Sequence, residues 1–285
     1  MLTAGLLTDQ SASIRVLDVG CGCGDQSLYL TSLTRDASLA SAGSTSAIDT
    51  ALSSESPSRT CTRNGSHRPL LDSYTGINLE PSQAEVAKQR LQGSYHSTEK
   101  SSTCPRAKIF CANAADPTSW SGELQSSIDD FAATSQNPDT ATWLLALDTM
   151  YHFRPSRLPL LHYARNTLHA SFVAFDFILA DNVSWHQCLL LRLVCWVTGS
   201  PYGNFISREK YLRLLEAAGY DLSQVEIRDI TRHVFPGLSG FLSRRVQGGE
   251  IYGLKMTRYK AARMVFKWWA NSGIVRGVVV VANRG

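Results

Sequence analysis

Asp18-Val-Gly20-Cys-Gly22-Cys-Gly24 is the stretch on which the fold assignment turns. It closes the apolar run Ile14-Arg-Val-Leu-Asp-Val-Gly20, which reads as a short buried strand ending in glycine. Residues Asp25 to Leu33 then read as a helix. Ligands of open α/β sheets bind at the carboxyl ends of strands, and glycines there let the backbone turn tightly and approach a ligand closely. A dinucleotide fingerprint has the spacing G-x-G-x-x-G. Here the spacing is G-x-G-x-G with an acid in front. A carboxylate beside such a turn accepts a hydrogen bond from, or pairs with, a cationic amino-acid group, and no pyrophosphate demands the wider spacing. The competing reading of Asp18 is a cap on the following helix or loop.

Outward from this turn the chain alternates strand and helix. Tyr74-Thr-Gly-Ile-Asn78 reads as a second strand, and Pro81 suits the first turn of a helix carrying Ala84, Ala87 and Leu91. Ala107 to Cys111 is a third strand. Ala141 to Asp148 is a fourth, continuously apolar and so buried on both faces. Arg157 to Leu168 reads as a helix, and Ala170 to Leu179 as a fifth strand. This order predicts a mostly parallel sheet with helices on both sides. Beyond it, Ser184 to Val197 is a strongly apolar helix and Arg208 to Ala218 another, stopped by Gly219. Gln224 to Ile230 is a strand, Tyr259 to Ala270 an amphipathic helix, and Arg276 to Ala282 a closing strand. The chain reads as one domain, 1–285, in which 182–273 forms a partly helical cap over the substrate. Residues 35–72 break the pattern: thirteen of the 38 are Ser or Thr and the apolar ones show no period, which reads as a flexible insertion.

Composition narrows the class. Net charge is +4, but Glu226 to Gly285 holds 11 Lys/Arg against 3 Asp/Glu. Such a section attracts an anionic substrate, a lipid headgroup or nucleic acid, or is a solvated surface. No apolar run reaches the roughly 18 residues of a membrane span, and Met1 to Gln10 lacks the basic start of a signal peptide. Seven scattered cysteines, with no second pair to join Cys21 and Cys23 at zinc spacing, predict no metal site and free thiols in a cytoplasmic protein.

Val16-Leu-Asp-Val-Gly-Cys-Gly-Cys-Gly24 closely resembles motif I of the class I S-adenosylmethionine-dependent methyltransferases. Tyr74-Thr-Gly-Ile-Asn-Leu-Glu-Pro-Ser-Gln83, with Ala87 and Arg90, resembles the second-strand region of the sterol, tocopherol and cyclopropane-fatty-acid group. Cys111-Ala-Asn-Ala-Ala-Asp116 resembles its adenine loop, Leu147 to Phe153 its fourth-strand end, and Val278 to Ala282 its last strand. The resemblance implies a Rossmann-like α/β fold with a seven-stranded, mostly parallel sheet and helical cap elements. It implies S-adenosyl-L-methionine as cofactor. Asp18, Gly20, Gly22 and Gly24 would contact its methionine part and ribose, with Cys21 beside them. Asn78 and Leu79, near Gln83, would lie by the ribose and adenine. Asn78 stands where many members have an acid, and is equally a turn residue. Asn113 by position, or Asp116 by chemistry, would meet the adenine amine beside Ala114. Asp148 would bind the cofactor at the end of the fourth strand, or serve as a structural strand-end acid. Relatives usually carry an N-terminal helix over the cofactor, and only about 13 residues precede the first strand here.

The cofactor carries its own leaving group, so the protein must align an acceptor and exclude water. Tyr151 and His152 follow the fourth strand. Histidine titrates near neutrality, which makes His152 the candidate base, against a reading as a core residue. Trp185, His186 and His233 are weaker cap candidates, and Trp268-Trp269 reads as core. The expected reaction is O- or N-methylation of an apolar metabolite with a polar or anionic group. C-methylation of an isoprenoid or sterol, with Tyr151, Phe153, Asp148 and Trp185 steadying a cation, is the alternative. A cofactor-binding protein without turnover is a third reading. The expected partner is a small molecule, with no nucleic acid; peripheral membrane contact stays open.

Overall fold

The computed structural model describes residues 13–34, 69–96, 106–135 and 140–284. Residues 35–68, the bulk of the Ser/Thr-rich stretch, and the residues before the first strand lie outside them. Seven strands form one sheet in the order β3-β2-β1-β4-β5-β7-β6: β1 (Ser13–Val19), β2 (Ser73–Asn78), β3 (Arg106–Cys111), β4 (Thr140–Leu147), β5 (Ser171–Leu179), β6 (Val225–Asp229) and β7 (Val275–Ala282). β1 pairs with β2, and β2 with β3, in parallel; β6 and β7 are antiparallel. The chain order reverses beside β1, and open sheets of this kind bind ligands at such a switch point. All seven strands coincide with runs read from sequence. β4 is buried along its length except at Leu147, as a strand whose only polar residues are Thr140 and Thr142 allows.

The chain comprises two compact units. The first, Met1–Leu145 with Tyr163–Phe172, contains β1, α1 (Asp25–Thr31), β2, α2 (Pro81–His96), β3, α3 (Gly122–Ser135) and most of β4. Ile14, Val16, Leu17 and Val19 alternate with nothing polar but Arg15 and Asp18, and all four are inaccessible. Pro81 opens α2, where its missing N–H and fixed φ cost nothing, and Ala84, Ala87 and Leu91 form its buried stripe.

The second unit, Ala146–His162 with Val173–Gly285, contains most of β5, α5 (Trp185–Thr198), α6 (Arg208–Ala217), β6, α7 (Thr231–Ile251), α8 (Thr257–Ser272) and β7; α4 (Leu158–Asn166) spans the boundary in sequence. Its core is aromatic. Phe177 lies 5.5 Å from Phe235 and 5.5 Å from Trp269, ring centre to ring centre, with Phe205 5.9 Å from Trp269. Leu191, Cys195, Ile274 and Val275 complete this cluster. Trp269 is core, as its place on α8 predicts.

Candidate active site

The turn after β1 is built by glycine torsion angles. Gly20, Gly22 and Gly24 have φ of 76°, 57° and 84°, in the left-handed region that costs an L-residue roughly 1–2 kcal/mol. Gly20 and Cys21 donate their N–H groups to Ile77 O, which ties the turn to β2. A Cβ at Gly24 would lie 2.9 Å from the Ala87 Cα, so α2 reaches the turn only because residue 24 has no side chain. A Cβ at Gly22 would meet nothing within 4 Å. From α2, Arg90 donates to Cys23 O and pairs with Asp25 at 2.8 Å, fixing the start of α1.

Asp18 is buried beneath this turn. Its Oδ2 accepts from Tyr74 Oη at 2.5 Å and from Gln26 Nε2 at 3.1 Å. Since Tyr74 donates to Asp18, it accepts from Ser27 Oγ, 2.7 Å away. Burial pushes the Asp18 carboxyl up to about 7, against the pull of these two donors. Its Oδ1 is inaccessible and has no hydrogen-bond partner among the described residues. A buried acceptor left so costs about 1–3 kcal/mol. Cys21 is buried, and its thiol is pushed up to about 12, mainly by burial and then by Asp18.

At the end of β2, Asn78 donates Nδ2 to Glu80 O and to Gln83 Oε1, and no group among the described residues bonds its Oδ1. Leu79, the next residue, is 69% exposed. In the loop after β3, Asn113 Oδ1 accepts from Ala115 N at 3.0 Å, and its backbone oxygen from Trp120 Nε1. Asp116 Oδ1 accepts from both N and Oγ1 of Thr118, capping the short turn at Pro117–Ser119. Asp116 Oδ2 and the Ala114 N–H take no partner among the described residues. The first unit therefore gathers an open glycine turn, an amide oxygen, an exposed leucine, a spare carboxylate oxygen and a spare N–H.

The remaining predicted residues belong to the second unit. Asp148 follows β4 with φ of 56°, in the left-handed region that Asp enters more readily than most non-glycine residues. Crowding by its neighbours pushes its carboxyl up to about 6, although the residue keeps solvent access; the Tyr151 hydroxyl donates to it and opposes the shift. His152 is exposed on one side, and the desolvation of its ring, then the charge of Arg154, hold the imidazole below its ordinary value. Tyr151 rests on Phe177, ring centres 4.8 Å apart, and on His152 at 4.2 Å. Trp185 is 78% exposed, His186 bonds Ser184 Oγ, and His233 Nε2 accepts from Arg232.

Behind Tyr151 lies a buried polar assembly with no sequence motif. Arg157 pairs with Asp176 at 2.9 Å, both essentially inaccessible. Arg157 also donates to Met150 O and to Asn204 O, and Tyr211 Oη donates to Asp176. Asn204 Nδ2 donates in turn to Tyr151 O and Phe153 O. Both the carbonyls flanking His152 are thus held by one amide.

No family model and no curated protein matches the chain. Solved structures do. Phosphoethanolamine N-methyltransferase 2 of Haemonchus contortus, solved with phosphomonomethylethanolamine and S-adenosylhomocysteine, aligns at a TM-score of 0.60 and 11% identity over 98% of this chain. The match covers 50% of that protein, so this chain spans half its length. The fold is that of the S-adenosylmethionine-dependent methyltransferases. Geranyl diphosphate C-methyltransferase of Streptomyces coelicolor, solved with geranyl diphosphate, Mg2+ and S-adenosylhomocysteine, aligns at 0.51 and 16% identity over 99% of this chain and 77% of its own. The (4+2) cyclase SpnF aligns at 0.55 and 15% identity, over 98% and 79%.

Proposed function

We propose that this chain transfers a methyl group from S-adenosylmethionine to a small-molecule acceptor. The glycine turn carries the reading: three left-handed glycines, a helix packed where no Cβ fits, and open space above Gly22. The cofactor, when bound, supplies an electrophilic methyl on a sulfonium. Its functional groups match what the first unit leaves unpaired. Asp18, inaccessible beneath the turn, holds the turn's shape through Tyr74 and Gln26 and does not itself reach the methionine part. Asn78 Oδ1 accepts from a ribose hydroxyl, which an amide does as well as an acid for one such bond. Leu79 covers an adenine face. Ala114 N–H donates to an adenine ring nitrogen, and Asp116 Oδ2 or Asn113 accepts from the amine.

In the second unit His152 is the proton acceptor for an O- or N-nucleophile. Desolvation and Arg154 keep its ring neutral at ordinary pH, which a base requires. Tyr151 hydrogen-bonds Asp148, and Asn204 fixes the backbone on both sides of His152. Two of the aligned methyltransferases are named for phosphate-bearing molecules, one with an apolar geranyl chain, which favours an apolar acceptor with a polar or anionic group. C-methylation remains the second reading because the aromatic Tyr151 lies beside the carboxylate of Asp148.

The test is to incubate the chain with metabolite extract and labelled cofactor. Label should enter a small molecule, and fragmentation mass spectra should place it on O, N or C; labelling only of protein or RNA would sink the proposal. Calorimetric binding without transfer to any pool would favour a non-catalytic protein. His152→Ala should lower kcat roughly 100- to 10,000-fold, the usual contribution of a base, and leave cofactor affinity unchanged. The acid limb of the native rate profile should lie below the ordinary imidazole value of ~6.5. A limb above that value would remove His152 from the role.

A further inference from the structure

Helix α5 turns its apolar side to solvent. Trp185, Leu189, Leu190, Leu193, Trp196 and Val197 are 44% to 81% exposed. At 3.6 residues per turn they fall on one side of the helix, within about 140° of arc. The other side carries Leu191 and Cys195 into the aromatic cluster with Phe235 and Trp269. A helix covered on one side by its own core normally presents charge on the other. Here Arg192 is the single Lys, Arg, Asp or Glu between Trp185 and Thr198. A contiguous apolar face of this kind marks an interaction surface. The helix has 14 residues, too few to cross a bilayer, and no helix among the described residues is long and apolar enough to do so.

A second exposed apolar patch lies in the same unit. α7 and α8 pack as a hairpin. At its turn Ile251, Tyr252 and Leu254 are 81%, 82% and 60% exposed. Lys255, Arg258 and Lys260 follow directly. From Thr231 to Ser272 there are eight Lys or Arg and one acid, Glu250, which already pairs with Lys260. Apolar side chains set among cations match the interface of an anionic bilayer, where the chains enter the headgroup boundary and the cations meet lipid phosphate and carboxylate. A second copy fits the hairpin poorly, because pairing would bring the same cations together.

We propose that the second unit docks peripherally on an anionic lipid bilayer through the exposed face of α5 and the α7–α8 turn. This stands apart from the proposed methyl transfer. The test is co-sedimentation of the full chain with vesicles of phosphatidylcholine alone and of equimolar phosphatidylcholine and phosphatidylserine. The chain should bind the anionic vesicles, lose them at high salt, and ignore the neutral ones. Lys255→Ala with Arg258→Ala should weaken partitioning roughly 25-fold, at about fivefold per cation near the surface. Leu193→Glu with Trp196→Glu, both at exposed positions, should abolish it with the thermal transition intact; Leu193→Ser with Trp196→Ser is the milder pair if the first does not fold. Binding that is equal on both vesicles, absent from both, or unchanged in the α5 variants overturns the proposal. A native dimer that the α5 variants split, with no vesicle binding, assigns the face to a second copy instead.

Discussion

Gly22 and Gly24 are alike in sequence and differ in their surroundings. At Gly24 an added methyl meets the backbone of Ala87, while at Gly22 it meets only open space. Gly24→Ala should therefore lower the melting temperature and abolish binding of S-adenosylhomocysteine together. Gly22→Ala should cost only the roughly 1–2 kcal/mol of its left-handed backbone while losing most of the affinity in calorimetry. Equal effects of both on stability would show that the turn is only structural. The adenine loop poses a similar choice. Asn113 spends its oxygen on Ala115, whereas Asp116 keeps Oδ2 unbonded among the described residues. Asp116→Ala should then weaken cofactor binding more than Asn113→Ala, and the reverse order would return the role to Asn113. The sequence spoke clearly at these positions because glycine spacing and loop acids carry local geometry. It was silent about Tyr74, whose hydroxyl meets Asp18 across 56 residues.

Among the elements, strands were legible because an apolar run bounded by glycine or asparagine has few other solutions. Helix α7 was not. Pro236, Gly237, Gly240, Gly248 and Gly249, all poor helix formers, lie within its 21 residues, yet Phe235, Leu242 and Val246 hold it to the core. The assembly around Arg157 was equally hidden, since Arg157 and Asn204 are 47 residues apart. Breaking such a buried pair leaves an unpaired charge, at about 3–5 kcal/mol. Asp176→Ala should therefore destabilise the chain by that order in urea unfolding. Asp176→Asn with Arg157→Gln, which removes both charges, should cost less than the single change. A single change worth under about 1 kcal/mol, the value of an exposed pair, would show that the network is not buried in solution.

The whole molecule should feel pH through Asp18. Burial raises its carboxyl to about 7, and in the unfolded chain it titrates near ~3.9. Between those values the folded chain binds more protons, so stability falls as pH rises. Asp18→Asn removes that dependence, so its urea midpoint should gain on the native one from about pH 4 to about pH 7. A constant difference across that window would mean that Asp18 is solvated. The strand order has a consequence of another kind. It leaves β3 and β6 at the two ends of the sheet. β3 carries Arg106 and Lys108, and β6 carries Glu226, Arg228 and Asp229 in a strand of only five residues. Unpaired strand edges are templates for aggregation, and short or charged ones resist it. Both ends are thus guarded against edge-to-edge growth, and replacing these charges with valine would convert a sheet that stops into one that can recruit the next chain.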